Sequence, residues 1–64
     1  MKRNEFNRIC SAVKYGRNFY VENTRNHDIG KVSSCQGADF EVEASGVRQN
    51  WSRKDCRETE MSVR

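Results

Sequence analysis

The chain has 64 residues, with twelve Lys and Arg, nine Asp and Glu, three Cys and no Pro. This length allows one small domain and excludes a second, and so short a chain buries only about 60% of its unfolded surface, which leaves no room for a deep catalytic cleft. No apolar run reaches the roughly 20 residues of a membrane helix, and the charged N-terminus lacks the apolar stretch of a signal peptide. We therefore expect a soluble, cytoplasmic protein without a membrane partner.

Leucine is absent, so the larger apolar residues are mainly β-branched or aromatic. They include six Val, two Ile, three Phe, two Tyr and one Trp. β-Branched and aromatic residues favour strands over helices. We expect one α+β domain over residues 1–64, with an ordered core at about 4–58 and a frayed tail at 59–64.

The first predicted element is an amphipathic helix over residues 5–14. Asn4 is a suitable N-cap, and Gly16 can adopt the left-handed conformation that ends helices. Four apolar residues fall at the spacing i, i+3, i+4, i+7, which places them on one stripe of the helix: Phe6, Ile9, Cys10 and Val13.

After Gly16 the apolar period changes from 3.6 to 2, which predicts antiparallel strands. A two-residue loop at 45–46 and a three-residue turn at 36–38 join the later strands. The sheet is predicted as a three- to four-stranded meander with strands at 17–23, 31–35, 39–44 and 47–51.

The two loops predict a register that agrees across three strands. Apolar residues then share one face, charged residues share the other, and a slip of one residue would lose every match. Gln49 alone is out of place on the apolar face. The predicted pairs are Ala44–Val47, Glu43–Arg48, Val42–Gln49, Phe40–Trp51, Val32–Val42 and Lys31–Glu43.

The segment Ser52–Asp55 resembles a capping box with Asp in place of Glu or Gln, and it predicts a short helical turn over 53–58. This turn returns Cys56 to the core. The predicted core is Phe6, Ile9, Cys10, Val13, Phe19, Val21, Val32, Phe40, Val42, Val47, Trp51 and Cys56.

The candidate metal ligands are Cys10, His27, Cys35 and Cys56, separated by 17, 8 and 21 residues. Structural zinc sites bring ligands in pairs two to four residues apart, and none of these gaps fits. An odd number of widely spaced cysteines also argues against a disulfide scaffold and for a reducing compartment. We expect no metal and no cofactor, and we interpret Cys10 and Cys56 as small buried apolar groups.

Catalytic patterns are weak. No flanking residue marks a cysteine as activated by His27, and the paired carboxylates Glu41 and Glu43 have no substrate cleft in so small a domain. The four glycines are isolated and form no phosphate-binding loop. We therefore expect a binding module and no enzyme.

The charge is polarised along the chain: residues 1–17 carry +4, residues 18–47 carry −3 and residues 48–64 carry +2. If helix and tail meet, their cations form a basic patch that binds DNA or RNA phosphates without sequence specificity. The cations that could form this patch are Lys2, Arg3, Arg8, Lys14, Arg17, Arg53, Lys54 and Arg57. Of these, the candidate nucleic-acid-binding residues are Arg8, Lys14, Arg17, Arg53, Lys54 and Arg57.

A second functional class is slightly favoured over nucleic acid. A meander leaves two open strand edges, and a small core gains from association, which favours an unknown protein partner or self-association. Trp51 pairs with Phe40 in the predicted register, so it is expected in the core rather than on a binding surface.

The order of elements resembles Sm-like or SH3-like small barrels, in which a helix precedes a strongly bent sheet. The resemblance covers residues 5–58 and includes the glycine just before the second strand. The order is also similar to the helix–three-strand–helix order of double-stranded-RNA-binding domains, but the second helix here lacks their run of lysines and their signature loop. No functional residue is carried over from either family, because fold does not fix function.

Overall fold

The computed structural model describes residues 1–59, and residues 60–64 lie outside the described part. All strands belong to one antiparallel sheet in the order β4-β3-β2-β1-β5. The predicted α+β fold is confirmed: a helix, an antiparallel meander and a short helical turn. The elements are α1 (Arg3–Lys14), β1 (Tyr20–Asn23), β2 (Ile29–Gln36), β3 (Asp39–Ala44), β4 (Val47–Ser52), a 3-10 turn (Arg53–Asp55) and β5 (Cys56–Thr59).

Helix α1 begins two residues earlier than predicted. Its N-cap is Lys2 rather than Asn4, because the Glu5 carboxylate reaches back and accepts a hydrogen bond from the Lys2 backbone N–H at 3.3 Å. Glu5 therefore satisfies a backbone donor that the first helical turn leaves free.

The end of α1 follows the glycine signal in the sequence. Gly16 adopts a φ of +90°, and its N–H donates to the Val13 carbonyl at 2.9 Å while the Arg17 N–H donates to the Ala12 carbonyl at 3.1 Å. This pair of bonds is a Schellman motif, which satisfies carbonyls that the last helical turn leaves open.

The predicted register between β3 and β4 is confirmed at every pair from Ala44–Val47 to Phe40–Trp51. Ser45 and Gly46, the two loop residues, have φ values of 54° and 76°. Positive φ at both central residues is what a type I′ turn requires, and its twist matches that of the two strands.

The predicted pairs Val32–Val42 and Lys31–Glu43 of the β2–β3 hairpin are confirmed, but the geometry that produces them differs from the prediction. Gln36 pairs with Asp39, so the connecting loop has two residues, and the predicted three-residue turn at 36–38 is wrong. A register shift between Val32 and Ser34 supplies the missing residue. Such a bulge leaves two residues of one strand opposite one residue of its neighbour.

The bulge decides the direction of Cys35. In a regular strand Cys35 would face away from Val32, but here it lies opposite the buried Phe40 and forms a disulfide with Cys10 of α1, with the two Cα atoms 5.9 Å apart. The interpretation of Cys10 as a small buried apolar group is therefore wrong, and the argument against a disulfide scaffold did not anticipate this single bond. Cys56 is confirmed as a buried free thiol, and burial raises its pKa to about 11.

The core lies between α1 and the inner face of the sheet, where the Phe6 and Phe40 rings meet at 4.8 Å between centroids. Most of the predicted core is confirmed, with Cys10, Val13 and Phe19 partly buried. Val47 is the exception. Its side chain is 55% exposed at the start of β4, whereas its partner Ala44 is buried.

Gln49, which does not fit the apolar pattern, has a partner in the core. Its side-chain oxygen accepts a hydrogen bond from the indole N–H of Trp51 at 2.9 Å, so the buried indole keeps a polar contact. The same indole packs against Gly30, where an added Cβ would lie 3.0 Å from the Val42 Cβ and 3.1 Å from the Trp51 ring. The glycine allows this close approach.

The segment after β4 differs from the prediction. The helical turn stops at Asp55 instead of residue 58, and a fifth strand follows and pairs with β1. The Thr24 N–H donates to the Asp55 carbonyl at 2.7 Å and starts this pairing. Thr59, predicted as the start of the frayed tail, lies in this strand, and residues 60–64 lie outside the described residues.

The first testable prediction concerns the disulfide, which joins residues 25 positions apart. Replacing both Cys10 and Cys35 by Ser is expected to lower the free energy of unfolding by about 2–4 kcal/mol, because the unfolded chain regains the entropy of the open loop. Urea denaturation of both proteins, with and without reductant, measures this free energy of unfolding. Reductant should destabilise the wild type and leave the double variant unchanged; equal stability of the wild type in both conditions would contradict the bond.

Candidate functional site

The outer strands of the sheet carry backbone groups that point away from it. The Arg53 N–H donates to the Ala38 carbonyl at 3.0 Å, and hydrogen-bonded pairs alternate along an antiparallel ladder. The N–H and C=O groups of Arg48, Asn50 and Ser52 therefore point away from β3. Within residues 1–59 no further strand lies beyond β4.

The same reasoning applies to β5. The bond from the Thr24 N–H to the Asp55 carbonyl makes 24–55 a hydrogen-bonded pair, so the backbone groups of Cys56 and Glu58 point away from β1. The described part of the chain thus has two open strand edges, β4 with six residues and β5 with four.

Two of the predicted nucleic-acid-binding residues are engaged in ion pairs with the sheet. Arg8 contacts Glu58 at 2.7 Å and connects α1 to β5, and Arg57 donates to Glu22 at 2.9 Å across β5 and β1. Their positive charges are partly neutralised by these carboxylates.

Arg53 lies beside the beginning of α1. Its side chain donates to the Met1 carbonyl at 2.9 Å, and its own carbonyl accepts from the Met1 nitrogen at 3.0 Å. Arg53 and Arg3 line a surface cavity of about 480 Å³, which we call the Arg3–Arg53 cavity. Helix and tail therefore do converge here. The helix contributes Arg3, which belongs to the cations of the predicted patch but not to the six candidate residues.

The remaining predicted cations lie elsewhere. Lys14 and Arg17 lie at and after the last turn of α1, and a 12-residue helix is about 18 Å long, so they are far from Arg53. Lys54 is exposed on the 3-10 turn. The structure does not bring the six residues together on one surface.

The outer face of the sheet carries the expected charge ladder. Register places Lys31 opposite Glu43 and Glu43 opposite Arg48. The close ion pair is diagonal, from Arg48 to Glu41 at 3.7 Å, and Glu41 also accepts a hydrogen bond from Ser34. Glu41 thus has its partners within the sheet.

His27 and Glu22 form a second polar cluster with Arg57. His27 has a φ of 65° in the loop after β1, and its Nδ1 lies 2.9 Å from the Glu22 carboxylate. Hydrogen bonds from His27 and Arg57 lower the pKa of Glu22. This cluster ties the β1–β2 loop to β5.

The candidate metal and nucleophile residues are separated. Cys10 and Cys35 are bonded to each other, Cys56 is buried and His27 is on an exposed loop. Among residues 1–59, no three His, Cys, Asp or Glu side chains are grouped to hold a metal ion. The described part of the chain also has no helix with the length and apolar character to cross a membrane.

Comparison with protein-family models, with curated protein sequences and with solved structures finds no match. The functional conclusions therefore depend on the geometry described above.

The Glu22 cluster generates the second testable prediction. A carboxyl whose pKa is lowered by folding stabilises the fold above its ordinary pKa, near 4.5, and this stabilisation is lost as the pH falls through the folded-state value. Glu22→Gln should therefore lower the melting temperature at pH 7. Its difference from the wild type should shrink below pH 4.5.

Glu43→Gln is the matched control, because Glu43 is also an outer-face carboxylate but is exposed and has no side-chain hydrogen bond among residues 1–59. Melting curves from pH 3 to 8 compare the two variants. An equal, pH-independent loss in both would mean that the Glu22 contacts do not favour its charged form.

Proposed function

We propose that this chain is a small non-enzymatic binding module whose partner is a protein, a second copy of the chain included. The partner adds a strand to an open edge of the sheet. The observation that carries the proposal is the row of outward backbone groups at Arg48, Asn50 and Ser52 on β4. Added strands gain affinity from backbone hydrogen bonds and specificity from alternate side chains.

β4 is the better edge for such pairing. Its six residues all lie in the described part of the chain, and it carries no proline and only one charged residue, Arg48. Proline, charges and bulges are the usual protection of an edge strand, and the bulge in this sheet lies on β2. Val47, exposed at the start of β4, offers an apolar contact beside the backbone groups.

The non-enzymatic part of the proposal is supported by the distribution of reactive groups. His27 contacts a carboxylate, and the buried Cys56 thiol has a pKa raised to about 11, which keeps it protonated. A nucleophile needs a base within hydrogen-bonding distance and an activated thiol needs a lowered pKa. No metal and no other cofactor enters the proposed function.

The third testable prediction distinguishes backbone pairing from side-chain contact. Asn50→Pro removes one outward N–H and is tolerated on an edge strand, whereas Asn50→Ala removes the side chain and keeps the N–H. Loss of one or two hydrogen bonds of about 1 kcal/mol each predicts a roughly five- to thirtyfold weaker association for Pro and little change for Ala. Analytical ultracentrifugation measures self-association, with circular dichroism as the test of folding.

Strand addition at β4 is contradicted if Asn50→Pro and Asn50→Ala change the association to the same extent. Equal association of wild type and Asn50→Pro would exclude this edge. A monomeric wild type up to millimolar concentration would exclude the second copy, and affinity capture with the same variants then tests a different protein as partner.

Nucleic-acid binding is the second candidate function. It is favoured by Lys14, Arg17 and Lys54, which are exposed and take part in no ion pair among residues 1–59. Phosphate contacts from such residues give affinity that falls steeply with salt.

The fourth testable prediction compares unpaired with paired cations. Replacing Lys14, Arg17 and Lys54 together by Ala should weaken binding to single- or double-stranded probes and reduce the salt slope by about 0.7–0.9 for each phosphate that is no longer neutralised. Replacing Arg8 and Arg57 by Ala should have a smaller effect, because Glu58 and Glu22 already neutralise them. Fluorescence anisotropy at several salt concentrations measures both, and no binding of any probe at low salt would contradict this function.

The proposed location is the cytoplasm, where the free thiol of Cys56 would stay reduced. The Cys10–Cys35 disulfide weighs against it, since glutathione and thioredoxin keep cytosolic thiols reduced. In that compartment the two residues would stand as a pair of thiols next to each other, and the helix would be held to the sheet by packing and by the Arg8–Glu58 contact.

A further inference from the structure

The Arg3–Arg53 cavity is a candidate ligand site that the proposed strand pairing does not use. It has a volume of about 480 Å³, within the range of pockets that hold small molecules. Three elements meet there: the first two turns of α1, the β2–β3 loop and the segment that follows β4. Its lining residues are Arg3, Phe6, Asn7, Gly37, Ala38 and Arg53.

The polar part of the lining is cationic. Arg3 and Arg53 bring two guanidinium groups, Asn7 adds an amide, and none of the six lining residues is acidic. The nearby Glu5 carboxylate accepts a bond from the Lys2 backbone N–H at the N-cap of α1. Among residues 1–59 neither guanidinium takes part in an ion pair. A pair of guanidinium groups attracts anions and binds phosphate through parallel hydrogen bonds.

Arg53 is held in place before any ligand arrives. Its bond to the Met1 carbonyl uses one of the five N–H donors of the guanidinium and leaves the others available. It is half-buried, whereas Arg3 is exposed. A cation that is already held in place reduces the entropy cost of ordering the site on binding.

The rest of the lining is apolar or small. Phe6, Gly37 and Ala38 form this part, and the glycine leaves open space where a side chain would stand. The cavity thus has room for more than one phosphate group. Its apolar surface comes mainly from the exposed Ala38, because the Phe6 side chain is only 6% exposed.

We propose that the Arg3–Arg53 cavity binds a phosphate monoester carried on a nucleotide-sized group. Two guanidinium charges match a monoester, which carries about −1.5 to −2 at pH 7, better than the single charge of a phosphodiester or a carboxylate. The monoester belongs either to a free mononucleotide or to the 5′ end of a nucleic-acid strand. Both ligands present the same phosphate chemistry to the cavity.

Titration of the full chain with AMP, adenosine and inorganic phosphate, followed by amide NMR shifts and calorimetry, tests the site. AMP should shift the amides of Asn7 and Gly37 and bind more tightly than inorganic phosphate, and adenosine should bind far more weakly. Arg3→Gln should weaken AMP binding about ten- to hundredfold, the usual effect of losing a charged hydrogen-bond donor.

Lys31→Gln is the matched control, since it removes the same charge from the exposed outer face of β2, outside the cavity lining, and should leave AMP binding unchanged. Ala38→Leu keeps both arginines and fills the cavity from an exposed turn, so it should also weaken binding. Adenosine binding as tightly as AMP, or an equal loss in Lys31→Gln and Arg3→Gln, would overturn the proposal.

A pentanucleotide with and without a 5′-phosphate distinguishes the two sources. If the phosphorylated pentanucleotide binds more tightly than AMP, the ligand is the 5′ end of a nucleic-acid strand. If AMP binds more tightly, the ligand is a free nucleotide. Either result supports the site. Equal binding of the two pentanucleotides, together with no AMP shift, would overturn it.

Discussion

The structure depends on the bulge in β2, because this strand is the centre of the sheet and pairs with both β1 and β3. At its start Gly30 makes room for the Trp51 indole, and in its middle Val32 packs in the core. A strand of regular period would then turn Cys35 outward. The extra residue of the bulge turns Cys35 inward instead. β2 therefore packs in the core near its start and is bonded covalently to α1 near its end.

The helix also depends on this arrangement. Once Cys10 is bonded to β2, the Phe6 ring lies on Phe40, and Arg8 reaches Glu58 on the opposite edge strand. The helix therefore contacts both the centre and one edge of the sheet. A core this small is marginally stable, and the disulfide between segments 25 positions apart stabilises it more than the exposed Arg8–Glu58 pair does.

Local signals in the sequence predicted the helix, the register of β3 and β4 and most of the core, because Gly16, the Ser45–Gly46 loop and period-2 alternation each act over a few residues. Three features needed distant contacts. The bulge leaves no compositional mark, so the Cys10–Cys35 bond could not be expected. The strand after Asp55 has no apolar alternation and forms because β1 is already present to pair with it. Val47 follows the core alternation but is 55% exposed at the first position of β4, next to the Ser45–Gly46 loop.

The candidate sites were difficult to predict for a related reason. Strand pairing at β4 uses backbone groups, and every residue except proline has the same N–H and C=O. The Arg3–Arg53 cavity joins residues 50 positions apart, through contacts of Arg53 with Met1 that no spacing rule anticipates. Helix and tail do meet, as the hypothesis of a basic patch required, but they meet at the first turn of α1. A chain of this size has few buried positions available for chemistry, so its candidate functions lie in an open edge and a surface cavity, where geometry rather than residue type carries the information.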